Sequence, residues 1–275
     1  MIRYRFIDKK IIAYLFLFVL ALLFFGGCEE EESENLIPKY QDWAIKGHGH
    51  FIFHISPKSR WTAKYKEISE GYEKFLREIC VLLEMPIPND TIHMYIYNPG
   101  KEAKEITGRE TPWSNNTEIH WGDKYPYGYE LTKFLLRKKG IKDGKFKAMN
   151  EGVPFLLDFS SKNYHDKTNR RFNSGTLVSL SGLGDNNKLD SLDFATRRAE
   201  SASFCGFIMF NYGLDRLFMI HQTSADWKDA IETIFQMPIE RFEQLWLDFA
   251  RENSNDPEGL VEDDPDPDMR IIRNE

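Results

Sequence analysis

Cysteine is scarce in this chain. Three residues, Cys28, Cys80 and Cys205, allow at most one disulfide, so no cysteine framework holds the fold. A basic excess is missing as well: 36 Lys and Arg stand against 43 Asp and Glu, a formal balance of −7. Without a basic face to meet phosphates, nucleic acid is not an expected partner. Glycine and proline, at 18 and 12, are too few for a fibrous or low-complexity chain. No G-x-S-x-G elbow frames Ser203 or Cys205, and nothing in the sequence selects a partner for His221. Gly182-Leu183-Gly184 lacks the strand–turn–helix setting and the Lys of a phosphate loop. No internal repeat is visible. What remains, at 41% hydrophobic and 14% aromatic over 275 residues, is a globular protein with room for a sizeable core.

The N-terminus is a targeting segment by its pattern. Arg3, Arg5, Lys9 and Lys10 precede the uncharged apolar run Ile11–Phe25, and Gly26-Gly27-Cys28 follows. A basic segment, a short apolar run and small residues describe a secretory signal peptide over 1–27. The run is short for a membrane-spanning helix, which needs roughly 20 residues. Its Gly-Gly-Cys ending resembles a bacterial lipobox, with Phe25 where Leu is commoner. That resemblance implies lipidation of Cys28, which becomes the mature N-terminus, and a membrane as partner. Processing leaves 32 basic and 42 acidic residues, or −10, much of it in Glu29–Glu34 and Asp256–Asp268. Residues 28–44 read as an acidic tether, 45–252 as the folded domain, and 253–275 as a disordered acidic tail. Acidic residues directly after a lipidated Cys also resemble the surface-export signal of some Bacteroidota lipoproteins; a solvated spacer reads the same way. Cys80 and Cys205 either pair in an oxidising compartment or stay free, and their apolar helical settings favour free, buried thiols.

The pattern predicts α+β: a small N-terminal mixed sheet with a long helix, then a mainly helical half. His50–Ile55 and Thr91–Tyr97 alternate as strands do, and Thr117–Trp121 is a third, shorter one. Between the first two, Trp61–Leu83 carries apolar residues at helical spacing. Pro126 and Gly140 bracket a helix over Tyr127–Lys139. Further helices are expected at 148–159, 194–212, 213–221, 225–235 and 239–252. His48, His50 and His54 share one strand face by parity, but they are spread along it, so a polar face is expected rather than a metal site. His93, alternating with Tyr95 and Tyr97, reads the same way.

Three segments in order carry a family resemblance: Tyr129-Glu130-Leu131-Thr132-Lys133, then Ala148-Met149-Asn150-Glu151-Gly152-Val153, then Ser203-Phe204-Cys205-Gly206-Phe207-Ile208 with Asn211-Tyr212-Gly213-Leu214 beyond. This layout resembles the peptidase MA-like (gluzincin) zinc peptidases over roughly residues 45–252. Those proteins show an HELTH-type helix, a W-L-N-E-G segment and an S-F-x-x-Y-L helix. The resemblance implies Glu130 at the general-base position, Glu151 at the third zinc ligand and Asn150 beside it. The two His positions hold Tyr129 and Lys133. Two imidazoles four residues apart would bind zinc from one helical face, whereas an ammonium has no lone pair and repels a dication. No HExxH occurs anywhere. Zinc is therefore not an expected cofactor, and Tyr129, Lys133 and Glu151 are pseudo-metal positions. Lys133 is expected to pair with Glu151 in place of the cation, or else with Glu130 as an ordinary i,i+3 surface pair. Pro154, tolerable only near a helix start, and Arg197-Arg198, where an aromatic is usual, are further departures. The expectation is a catalytically inactive envelope lipoprotein, on the outer membrane or cell surface, that binds a peptide or protein. The alternatives are an active hydrolase with a rebuilt site, or a structural subunit of an envelope complex.

Overall fold

The computed structural model describes Tyr40 and residues 42–97, 101–122, 126–160 and 162–258. The signal peptide, Cys28, most of the tether and the tail beyond residue 258 lie outside the described residues. The chain divides into two units, Met1–Gln41 and Asp42–Glu275, and the second carries the fold.

Five strands form one mixed sheet in the order β1-β2-β3-β5-β4. They are β1 (Ala44–His48), β2 (Phe51–Ile55), β3 (Ile92–Ile96), β4 (Trp113–Ser114) and β5 (Glu118–Trp121). β1 and β2 pair antiparallel through a two-residue turn, Gly49-His50, with Gly49 at φ +54°, the left-handed backbone such hairpins require. β2, β3 and β5 run parallel, and β4 closes the edge antiparallel to β5. The parallel step from β2 to β3 needs a crossover. Helix α1 (Tyr65–Leu82) supplies it, burying Ile68, Tyr72, Leu76 and Ile79 in one core with Phe51, Phe53, Ile55, Met94 and Ile119 of the sheet. Glu73 on the same helix accepts the His50 backbone N–H and lies 3.1 Å from the His50 ring, which fastens the hairpin to the helix.

The histidine pattern is corrected here. His48 ends β1, His50 sits in the turn and His54 lies on β2, because the chain reverses at Gly49. Trp43 is buried and packs edge-on against Tyr97, and Ala44 opens β1, so the folded part begins two residues before its predicted start at 45.

Helix α2 (Lys101–Thr107) lies between β3 and β4, and after β5 the elements are helices: α3 (Tyr127–Lys138), α4 (Lys147–Leu156), α5 (Tyr164–Asn173), α6 (Leu180–Leu183), α7 (Asn186–Ser191), α8 (Phe194–Tyr212), α9 (Leu214–Gln222), α10 (Trp227–Phe235) and α11 (Ile239–Glu252). The α+β class holds. Helix α8 is buried along most of its length, as befits a helix at the centre of a helical layer. Asp193 caps its start by accepting from the Thr196 N–H at 2.9 Å, and Gly213 at φ +87° ends it. Helix α4 runs through Pro154. Pro154 falls in the last turn, so only the bond to the Asn150 carbonyl is lost before the helix stops at Leu156.

The predicted disordered tail starts too early. Asn163 donates to the Asn253 carbonyl, Ser254 to Asp166, Asn169 to the Asp256 and Pro257 carbonyls, and Asn173 to Glu258. The polar face of α5 thus holds the chain through residue 258.

A Cβ on Gly152 would stand 2.5 Å from the Ser201 carbonyl and 2.6 Å from Cys205 Sγ. Since the nearest atom is backbone, it cannot yield. Gly152→Ala is expected to cost about 3 kcal/mol and to lower Tm by roughly 6–12 °C; an unchanged thermal melt would refute the close contact.

Candidate functional site

Helix α3 presents the residues of the first motif in different directions. Glu130 is buried, at 1% exposure, under the edge strand β4. Ser114 Oγ donates to Glu130 Oε2 at 2.7 Å, and Arg137 in turn donates to Ser114 at 2.7 Å. The other carboxylate oxygen, Oε1, has no hydrogen bond; Lys133 Nζ stands 3.6 Å away. A buried carboxylate without a cation is costly, and this ammonium offsets it. The pair has i,i+3 spacing, but its acid is fully enclosed rather than on a surface. Lys133 also lies 5.6 Å from the Tyr129 ring centre. Tyr129 itself packs on Phe155, centroids 4.5 Å apart, in a cluster with Tyr164, Ala199 and Ala202.

Glu151, one helix later, has a different partner from the expected one. Arg197 on α8 donates through Nε to Glu151 Oε2 at 2.7 Å, and Lys147 adds a contact at 3.7 Å. Asp190 completes the group through Lys147 and Arg197. The expected Lys133–Glu151 pair is therefore corrected: each acid has its own cation, supplied by its own helix or by α8. Asn150 does structural work. Its amide donates to the Gly144 carbonyl at 2.9 Å and its carbonyl accepts the Gly144 N–H at 2.8 Å, closing the loop between α3 and α4.

These residues do not fit zinc. Tyr129 is committed to an apolar cluster, Lys133 offers no lone pair, and Glu151 is held by a guanidinium. Among the described residues, no group of three or more His, Cys, Asp or Glu side chains is placed to hold a metal ion. Cys80 and Cys205 are free and buried. Burial pushes the Cys80 thiol up to about 11 and the Cys205 thiol well above its ordinary value, the opposite of what a thiolate nucleophile needs.

Two polar groups were not readable from the sequence. Arg198 and Asp158, both nearly inaccessible, pair at 2.7 Å, and the Tyr164 hydroxyl donates to Asp158 at 2.5 Å while accepting from Arg198 at 2.8 Å. Ser160 joins both. No spacing rule links Asp158 to an arginine forty positions on; only the α4–α8 contact does. In the third motif, Ser203 Oγ accepts from Trp246 Nε1 at 3.1 Å and lies 2.9 Å from His165 Nδ1. Ser203 is wholly buried, so this Ser–His contact is a core hydrogen bond.

On the sheet face opposite α1, His54, Tyr95, His120 and Trp113 stack in a row across four strands, with successive centroids 4.4, 4.6 and 3.6 Å apart. His54 Nε2 meets His93 Nδ1 at 3.0 Å. Burial, and then His93, lowers His54 to about 4; burial also lowers His120 and His221.

No family model matches the chain, and no curated protein is similar to it.

Two measurements check this geometry. Double-mutant cycles should couple Lys133 to Glu130 by about 1 kcal/mol and leave Lys133 and Glu151 uncoupled within about 0.3 kcal/mol; the reverse result restores the pairing expected from the sequence. The second concerns His165, which burial lowers from 6.5 to about 4. The unfolded chain then binds more protons between those values, so stability is lost as pH falls from 6.5 towards 4. Urea midpoints should show a loss on the order of 2 kcal/mol from this one group between pH 7 and 4.5. That loss should be smaller in His165→Asn; an equal loss in the variant would count against a neutral, buried imidazole.

Proposed function

We propose that the chain is a lipid-anchored envelope protein on a gluzincin-like scaffold, and that it acts by binding a peptide or protein rather than by hydrolysis. One observation carries the reading. The two carboxylates at the general-base and third-ligand positions are retained, and each is neutralised by a fixed cation of the chain, Lys133 for Glu130 and Arg197 for Glu151. A general base must be free to take a proton from water; Glu130 is instead enclosed between Ser114 and Lys133. The order of elements also supports the scaffold, since the helix bearing Glu130 follows the sheet and lies against its edge strand. An active hydrolase with a rebuilt site has less support: the buried Ser203 and the two raised thiols offer no accessible nucleophile. A purely structural subunit remains the other reading, and nothing in the site favours it.

The test uses the full lipidated chain purified in detergent. Zinc well below one per chain and no cleavage of casein are expected, whereas stoichiometric zinc with chelator-sensitive cleavage would overturn the proposal. The scaffold has a test of its own. Tyr129→His, Lys133→His, Lys147→Ala and Arg197→Ala together place two imidazoles one turn apart and remove both cations from Glu151, so zinc content should rise towards one per chain. A folded quadruple variant that takes up no zinc would count against the gluzincin-like arrangement.

A further inference from the structure

The chain beyond α11 is held by polar side chains and not by packing. Asn163, Asp166, Asn169 and Asn173 share one face of α5 and its N-terminal cap by their spacing, and residues 253–258 advance beside them in step. Asn163 meets Asn253, Asp166 meets Ser254 and Asn255, Asn169 meets Asp256 and Pro257, and Asn173 meets Glu258. Most of these contacts go to the main chain. Four carbonyls, of Asn253, Asp256, Pro257 and Glu258, accept from asparagine amides, and the Asn255 N–H donates to Asp166 at 2.6 Å. Main-chain bonds of this kind hold a peptide whatever its side chains are. One side-chain charge is met as well: the Asp256 carboxylate lies 3.7 Å from Arg170. Only Asp256 of the segment is buried, and the other five residues are exposed or half-buried.

The fit has a gap at its most enclosed point. Asn169 is 1% exposed, and its amide nitrogen donates to the Asp256 and Pro257 carbonyls at 2.8 and 2.9 Å. Its amide oxygen, also buried, accepts no hydrogen bond among the described residues. A buried acceptor without a donor is destabilising. In an extended chain the N–H and C=O of one residue point the same way, so a carboxamide can engage both. Proline has no N–H, and Pro257 gives Asn169 its carbonyl alone. The bonds along the rest of the segment lie at the surface, where water competes and each contributes little net, so the segment can lift without the fold opening.

We propose that this face of α5 is a peptide-binding site, that residues 253–258 are its resident and displaceable occupant, and that its ligand is an extended segment carrying an acidic residue followed by one other than proline. Arg170 meets the acid, and the N–H of the next residue fills the Asn169 oxygen. The proposal rests on the peptide-binding reading and places the ligand on α5 rather than beside Glu130. Because the resident segment is covalently attached, it competes at high effective concentration, and a free peptide succeeds by making the bond that Pro257 lacks.

The full chain in detergent tests this with Asn255→Pro, an exposed position at which the change removes the N–H that Asp166 accepts. Exchange of the Asp256 amide hydrogen should quicken about ten-fold or more. A fluorescein-labelled peptide of sequence 253–258 carrying Pro257→Ala should then bind the variant about ten-fold more tightly than the unaltered chain, since the resident segment competes less. It should also bind the variant about five-fold more tightly than the peptide that keeps proline, and adding Asn169→Ala should erase that difference. Where Asn169→Ala does not fold, Asn173→Ala at the surface should weaken both peptides alike. An Asp256 amide that exchanges no faster, no gain in affinity from Asn255→Pro, or equal affinity for the two peptides would each overturn the proposal. A casein digest separates it from the reading on which it rests. Peptides retained equally by the variant and the unaltered chain remove only this site; retention by neither removes the site and the peptide-binding reading together.

Discussion

Helix α4 lies on helix α8 with no side chain between them at Gly152, and that contact sets the positions of everything chemically distinctive in the fold. With the backbones this close, Glu151 and Arg197 meet, Arg198 lies over the Phe155 ring at 5.1 Å, and Asp158 at the end of α4 reaches Arg198. Gly128 repeats the device where α3 meets the end of α4, since a Cβ there would stand 2.6 Å from the Leu157 carbonyl. Two glycines therefore hold α3, α4 and α8 together. The charged residues on those helices have little freedom left in choosing partners.

Charge balance follows from that geometry. A buried acid must be paired or protonated, because water is not there to solvate it. Glu130 and Asp158 are both nearly inaccessible, and each has a cation within 4 Å. Replacing such a pair by apolar residues of similar size is often neutral, but removing one partner is strongly destabilising. The two members of each pair are thus bound to one another in sequence space: neither acid is easily lost while its cation stays. A buried acid can persist for this reason alone, with no proton transfer to perform.

What could be read in advance follows the same division between local pattern and distant contact. β2, β3, α1, α3 and the helices from α8 onward announce themselves by apolar periodicity, which needs no knowledge of neighbours. β1 does not, because Ala44–His48 is an edge strand with exposed Ile45 and Gly47 and shows no alternation of apolar residues. β4 is two residues long, and α5 is so polar that its role as a clamp for Ser254–Glu258 reads as loop. In the site, Glu130, Lys133 and Glu151 were legible as residues, and so was the i,i+3 pairing of Lys133 with Glu130, but Ser114 and Arg197 as partners were not. Ser114 lies on a strand too short to predict, and Arg197 meets Glu151 across a helix crossing that depends on one missing methyl group.

The same crossing bears on what the motif likeness means. Gly152, Cys205 and Gly206 are needed for close helix packing, as the short distances from Gly152 to Cys205 and from Gly206 to Leu156 require. Packing alone accounts for their presence, so they carry no argument about chemistry. Glu130 and Glu151 are different, since nothing in packing asks for a carboxylate at either place. An apolar or amide side chain would have spared the protein two charge pairs. Both acids are instead met by cations, Glu130 by Lys133 and Glu151 by Arg197, and that pairing is what their side chains do in the fold. Lys133 and Arg197 are the residues that set the charge state of this surface.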